Sequence, residues 1–346
     1  MQRIGTSTIQ LDTTPAVLGF GSAAGKKEGE GPLAGSFDRV FEDVMLGEKT
    51  FEKAESALLN TALTFAMQDA GVAASKLDVL LGGDLLNQCI GSTFVARDLD
   101  VPYLGLYGAC STMAESLLLA SLLVESGAAT LAGAMTSSHF CSSERQYRFP
   151  LEYGSQRPPT AQWTVTGAGG AIVGALGTPT PQLRSGNSPI TVQHVTIGRI
   201  KDLGIADANN MGAAMAPAAA DTIERFLRDT ATQPRDYDLI LTGDLGKVGS
   251  ALLIDLLHRD QIDITAVHSD CGILIFDGEK QDTHAGGSGC GCSAITLCGY
   301  LLSQLKSGKL NKILFCGTGA LLSPTSTQQG LPIPGVCHAV CITGGR

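Results

Sequence analysis

Apolar positions recur along the chain at two spacings, and the alternation between them lays out the fold. From Phe51 to Ala70 they fall at helical intervals (Ala54, Ala57, Leu58, Ala62, Phe65, Ala66), so one face of a helix there is built to pack. Asp78 to Leu81 is a continuous apolar run of strand length. Thr93 to Leu99 reads as a short helix and Tyr103 to Leu106 as another strand. Thr112 to Glu125 is apolar nearly all round (Met113, Ala114, Leu117 to Ala120, Leu122 to Val124), which predicts a helix buried between layers. Ala129 to Met135 continues the sheet, the polar and aromatic stretch Ser137 to Thr166 interrupts it, and Gly167 to Ala175 resumes it. Strands alternating with helices predict a parallel sheet covered on both faces. Before all this, Thr8 to Asp12 reads as a short strand and the glycine-rich Gly19 to Gly35 as a loop or arm.

The pattern then repeats. Thr191 to Ile200 opens a second set of elements, and Met211 to Arg228 is a helix like Phe51 to Ala70. Asp78-Val79-Leu80-Leu81-Gly82-Gly83-Asp84-Leu85 returns as Asp238-Leu239-Ile240-Leu241-Thr242-Gly243-Asp244-Leu245. Tyr107-Gly108-Ala109-Cys110-Ser111-Thr112, leading into a helix that ends near Ser126-Gly127, returns as Gly289-Cys290-Gly291-Cys292-Ser293-Ala294, leading to Ser307-Gly308. With the Ser-Gly ends superposed, Cys110 falls opposite Gly291, flanked by Cys290 and Cys292. A duplication with an unequal centre predicts a site between the halves, residues 1–180 and 181–346, with Thr178 to Pro189 as the linker. The second half is longer between its Asp244 and Gly291 marks, an excess that reads as a hairpin or loop over Asp260 to His284. Gly335 to Thr343 closes the chain as a strand.

Composition narrows the partners. A formal charge of −9 and a pI near 5.1 offer no basic surface to a phosphate backbone, so no nucleic acid is expected. No apolar run reaches the roughly 20 residues of a membrane span, and Met1-Gln2-Arg3-Ile4 opens no signal peptide, so the protein is expected inside the cell. Ten cysteines include no Cys-x-x-Cys pair, which argues against a metal site; Cys271, Cys298, Cys316 and Cys341 read as small buried hydrophobes.

Cys110 is the leading candidate for chemistry. It follows a strand and a glycine and precedes a helix, where unpaired N–H groups favour a thiolate or an anion; equally, it is small enough simply to fill a tight turn. A reactive cysteine needs a base. His139 follows the strand after the Cys110 helix, His338 lies in the closing strand and His284 precedes the Cys290 loop, whereas His194, His258 and His268 read as edge or surface residues. Asp84 and Asp244 stand at equivalent strand ends, where open sheets bind ligands and where aspartate also caps the following segment. Arg145, Arg148 and Arg157 either hold a carboxylate or anchor a surface loop. Gly286-Gly287-Ser288-Gly289-Cys290-Gly291 lacks the ending of a phosphate loop and reads as a point of close backbone approach.

These motifs, with Gly82 to Gln88, Thr136 to His139, Glu144-Arg145-Gln146, Met211 to Thr222 and Thr318 to Pro324, span nearly the whole chain. The duplicated layout with Cys110 at the first central helix resembles the thiolase and ketoacyl synthase superfamily, which implies a duplicated α/β fold of five layers, α-β-α-β-α. More narrowly, the chain resembles the stage V sporulation protein AD family. That resemblance implies a binding protein for dipicolinic acid (pyridine-2,6-dicarboxylate) or its calcium chelate, acting in uptake into the forespore and release at germination. It further implies a homodimer, small membrane proteins as partners, and a peripheral location at the spore inner membrane, with no cofactor.

The chain departs from the catalytic superfamily, whose condensing enzymes place a histidine where Leu241-Thr242-Gly243-Asp244 stands here. They also carry an asparagine or second histidine where Cys290-Gly291-Cys292 stands. Without those donors a condensation loses its electrostatic support, so no catalytic residue is expected. The residues expected around a flat dianion are Cys110, Ser111, His139, Arg145, Asp244, Cys290, Cys292 and His338. Acyl transfer through Cys110, or a scaffold that binds neither acid nor thioester, are the alternatives.

Overall fold

Thr50 starts the first long helix, α1 (Phe51–Ala70), by accepting the Lys53 N–H on its hydroxyl at 3.3 Å, and Gly71, at φ 70°, ends it. The buried face of α1 carries Ala54, Leu58, Leu59, Ala62, Leu63 and Ala66, as its periodicity predicts. The computed structural model describes residues 1–148, 157–181 and 189–344; residues 182–188 of the expected linker lie outside them.

Helix α1 lies on β1 (Ala16–Gly25), a strand buried along its whole length. This corrects the reading of Gly19 to Gly35 as a loop. Its glycines are what allow the contact: a Cβ on Gly19 would stand 2.4 Å from the Ala66 carbonyl, and one on Gly21 2.4 Å from that of Ala62. Glycine here marks helix against strand.

The first half adds β2 (Val79–Gly83), β3 (Tyr103–Gly105), β4 (Leu131–Ser138) and β5 (Gly167–Gly174), and its sheet runs β3-β2-β4-β5-β1. The second half has β6 (Ile190–Thr196), β7 (Leu239–Thr242), β8 (His268–Asp270), β9 (Lys312–Ala320) and β10 (Gly335–Thr343), in the matching order β8-β7-β9-β10-β6. Strands β1 and β6 pair antiparallel at Val17–Ile190 and Ala16–Thr191, so hydrogen bonding passes from one sheet into the other. Both sheets are mixed rather than parallel. β2 is parallel to β3 and β4, but β5 is antiparallel to β4 and β1, because the connection after β4 returns the chain from the same end of the sheet.

Helix α3 (Thr112–Glu125) packs on β4 and β5 of one sheet and on β9 and β10 of the other, the buried central position its all-round apolar surface requires. α1 and α2 (Ile90–Leu99) cover the first sheet from outside; α5 (Met211–Thr230) and α6 (Gly246–Arg259) cover the second. The result is five layers, α-β-α-β-α. The second central helix, α7, is assembled from Cys290–Ile295, a π-helical stretch Thr296–Leu301, and Leu302–Lys306. The excursion after β4 holds helix α4 (Phe140–Arg148) and a two-residue strand, Trp163–Thr164, parallel to Gly287–Ser288.

The extra length of the second half is not a hairpin over Asp260 to His284. β8 lies inside that span, parallel to β7 as β3 is to β2; the added chain follows it as a helical turn, Cys271–Leu274, and a loop to Gly287. Three residues reading His-Ser-Asp give no apolar run to mark the strand.

Candidate functional site

The duplicated aspartates show where the halves remain equal and where they part. Asp78 accepts the N–H groups of Thr130 and Leu131 (2.6 and 3.0 Å), and Asp238 those of Asn311 and Lys312 at the same distances. Asp84 likewise caps its own half, accepting from Leu86 N–H (3.0 Å) and from the Ser92 N–H and hydroxyl (2.7 and 2.6 Å). Asp244 does not. The N–H groups that follow β7, on Leu245 and Gly246, go instead to Asp270 (2.8 and 2.9 Å), which leaves the Asp244 carboxylate free to turn inward.

There it meets the starts of both central helices. Gly289 donates its N–H to Asp244 Oδ2 at 2.9 Å, the Thr318 hydroxyl donates to Oδ1 at 2.9 Å, and the same carboxylate lies near enough to the Cys110 thiol to act on it by its charge. Cys110 sits in the turn Ala109–Ser111, entered through Ala109 at φ 49°, a left-handed conformation that a non-glycine residue holds only when its surroundings fix it. The Thr112 hydroxyl and the Cys290 thiol both donate to the Ala109 carbonyl, at 2.7 and 3.0 Å. Burial first, and the Asp244 charge second, push the Cys110 thiol well above its ordinary pKa; burial likewise raises Asp244 to about 7. A cysteine between helix starts would be a thiolate if the dipoles decided the matter; here burial and an acid decide it.

Cys110 opens on a narrow cavity of about 50 Å³, room for a few waters. Its wall is Leu85, Tyr107, Ala109, Cys110, Ser143, Glu144, Tyr147, Thr164, Met211, Ser288, Gly289, Ala320 and Leu322. Glu144 accepts the Thr164 hydroxyl at 2.9 Å, and the Tyr107 and Tyr147 hydroxyls are bonded to each other. The Ser143 hydroxyl is buried in the wall without a hydrogen-bond partner. Among the described residues no lysine, arginine or histidine lines the cavity. Among the described residues no three His, Cys, Asp or Glu side chains converge to hold a metal ion.

Of the residues singled out from sequence, Cys110, Asp244 and Cys290 come together. Ser111 is buried and spends its hydroxyl on the Gly108 carbonyl (2.7 Å), while Cys292 lies behind Asp244, its sulfur 3.7 Å from the Gly243 carbonyl. His139 is turned away, with Nε2 2.8 Å from the Val44 carbonyl and its ring against Phe51. His338 accepts the Gly198 N–H at 3.1 Å and is driven down to about 4 by burial. Arg145 points outward to Glu52 and Arg157 to Asp282, so these two arginines do not cluster; the Arg148 side chain lies outside the described residues. Sequence reading missed Ser143, Glu144 and Tyr147, neighbours of Arg145 on α4. Their helical spacing sets them on one face and Arg145 on another, a signal present in the chain.

The glycine run before α7 does bring backbones together: a Cβ on Gly291 would stand 2.4 Å from the Gly167 carbonyl, and Gly289 holds φ 99°.

Comparison with known proteins agrees with this architecture. The family model for stage V sporulation protein AD matches residues 5–343. Stage V sporulation protein AD of Bacillus subtilis (strain 168) is 44% identical over 340 residues, covering 98% of this chain and 97% of that protein. Among solved structures, 3-oxoacyl-[acyl-carrier-protein] synthase III from Aquifex aeolicus VF5 superposes with a TM-score of 0.57 at 14% identity, over 95% of this chain and 99% of its own. Cerulenin-bound OleA of Xanthomonas campestris gives 0.60 at 14%, over 95% and 96%. At that identity they share the thiolase-like fold.

Proposed function

Because the chain belongs to the stage V sporulation protein AD family, we propose that it is a binding protein for pyridine-2,6-dicarboxylate or its calcium chelate, serving uptake into the developing spore and release at germination, and that it is not a condensing enzyme. The observation that carries this reading is the buried Asp244 carboxylate set near Cys110. A nucleophilic cysteine needs a base to take its proton; Cys110 faces an acid, which holds the proton on sulfur. What the cavity retains is recognition: the Gly289 backbone, the Thr164 and Ser288 hydroxyls, the tyrosine pair and the unpartnered Ser143 hydroxyl around a slot that suits a flat ring.

Calorimetric titration with pyridine-2,6-dicarboxylate, with and without equimolar calcium and with an isomeric pyridine dicarboxylate as control, tests the reading. Selective saturable binding supports it; no heat in any arm transfers the function to scaffolding of membrane partners.

One observation favours acyl transfer instead: Cys110 stands at the start of a buried helix in a fold shared with synthases. A mass shift on Cys110 after incubation with acyl-coenzyme A would establish that reading. We further assign the homodimer contact to the edge strand β3, which exposes Leu104 and runs on to Tyr107, itself part of the cavity wall. No helix among the described residues is long and apolar enough to cross a membrane, which suits peripheral attachment at the spore inner membrane beside small membrane proteins.

A further inference from the structure

A second set of groups, behind the cavity wall, has unspent capacity for an anion. Trp163 is the single tryptophan of the chain. Phe140 stacks on one face of its indole, ring centroids 4.1 Å apart and 12° from parallel. The Lys27 ammonium stands 3.9 Å from the indole centroid, too close to share the face that Phe140 covers, and the Arg157 guanidinium carbon lies 4.9 Å from the same centroid. Two cations thus crowd one ring. Each gains from the indole, but they repel one another: burial first and the Arg157 charge second lower the Lys27 pKa, with Asp282, Glu28 and Glu30 opposing.

Their hydrogen-bonding capacity is only partly used. Arg157 Nη2 donates to the Asp282 carbonyl (2.7 Å) and pairs with its carboxylate (3.3 Å), but Nη1 is buried with no partner. The Lys27 ammonium has no hydrogen-bond or ion-pair partner among the described residues, although its backbone carbonyl accepts from Gln281 Nε2 at 2.7 Å. It lines a cavity of about 550 Å³ with Phe140, Trp163 and Thr166. The acids of that cavity are mostly engaged elsewhere: Glu28 is buried and accepts the Thr166 N–H (3.0 Å), Glu42 pairs with Lys26 (3.4 Å), and Asp43 accepts the Met45 and Gly47 N–H groups; Glu30 is exposed.

We propose that Lys27 and Arg157, gathered over Trp163, form an oxyanion site for a carboxylate or phosphate group. An anion between the two cations would relieve their repulsion and take up the spare donors in a charge-assisted, partly desolvated contact. The site backs onto the Cys110 cavity. In the strand Trp163–Thr164 the indole faces this side and Thr164 the other; in α4, Phe140 faces this side and Ser143 and Glu144 the other. The proposal stands on these contacts and not on the assignment of dipicolinate to the cavity.

The lone tryptophan makes the test direct. Trp163 emission, excited at the red edge of indole absorption, is followed in the full chain while pyridine-2,6-dicarboxylate or inorganic phosphate is added, with chloride as the ionic-strength control. A saturable change with either anion and not with chloride is expected. It should weaken about tenfold or more in Lys27→Met and in Arg157→Met, persist in Lys27→Arg, and persist in Ser143→Ala, which alters the Cys110 cavity and leaves the cationic pair intact. A response to dicarboxylate alone identifies a carboxylate site and one to phosphate alone a phosphate site. No saturable response to either anion, or an unchanged response in the Lys27→Met/Arg157→Met double variant, overturns the proposal. Calorimetry on the same variants reads the cavity separately, so the two assignments fail independently.

Discussion

Asp84 and Asp244 occupy the same place in the two halves and hold different partners: Asp84 binds the Ser92 N–H and hydroxyl of its own half, whereas Asp244 reaches Gly289 and the Cys110 thiol. The exchange is possible because Asp270 takes over the backbone donors after β7. It sets a buried carboxylate near the Cys110 thiol and raises the thiol's pKa.

Asp244→Asn should therefore make Cys110 easier to alkylate. The Asp244 charge is one of the causes that raise the thiol pKa, and asparagine keeps the side chain's size and polarity while removing it. Burial, the larger cause, stays. A gain of several-fold, about one pKa unit at most in thiolate fraction, is expected from mass-spectrometric labelling rates. Unchanged labelling would mean that Asp244 does not govern the thiol.

Stability should fall from mild acid toward alkali. Burial raises Asp244 and Glu28 to about 7 and Glu55 to about 8, all above the unfolded values. Such a group holds its proton longer in the native state, so its contribution is complete below the unfolded pKa and lost as pH rises through the folded one. The midpoint of thermal unfolding should accordingly drop between about pH 5 and about pH 8, and Asp244→Asn and Glu55→Gln should each flatten the slope. A midpoint rising over this range would contradict the assignment.

Ser143→Ala should separate stability from binding. Its hydroxyl has no partner in the cavity wall, so its loss should leave the fold as stable or about 1 kcal/mol more so. If that hydroxyl waits for a ligand, calorimetric affinity for the dicarboxylate or its chelate falls about tenfold. Equal affinities in the two proteins would remove Ser143 from the site.

Gly291→Ala should be among the most damaging single changes, costing about 3 kcal/mol or more, because its Cβ would stand 2.4 Å from the Gly167 carbonyl where two rigid elements cross. Gly35→Ala, with nothing within 4 Å of its Cβ, is the control. Chemical denaturation reads both.

Leu104→Arg should yield a monomer in analytical ultracentrifugation if β3 is the pairing edge, since a charge on an exposed edge strand opposes strand addition.

Much of this is legible in the sequence. The extents of α1, α3 and β10 follow from apolar spacing alone, because each element buries a continuous face and its ends carry recognisable stops. Glycine serves loops and tight helix–strand contacts alike, so β1 reads as a loop until its partner, α1, is in place. β8 gives no apolar signal because its three residues are polar and paired through the backbone. Around the site, Cys110 and Asp244 stood out through the duplication. Glu144 did not, because Arg145 beside it drew attention by its charge; which of two neighbours faces inward is set by the rotation of α4.

The π-helical stretch Thr296–Leu301 gives α7 a phase shift partway along its length. Winding it wider accommodates one residue more than regular α-helix would, and one residue is about 100° of rotation. The first turn is aimed by Ser138, whose hydroxyl accepts the Gly291 N–H at 3.0 Å, and the last by its seat against β6. The wide turn acts as a clutch between them: the site end of α7 can be oriented for the cavity without dragging the far end out of its packing, so the duplicated helices share a scaffold while only one has its leading end independently set.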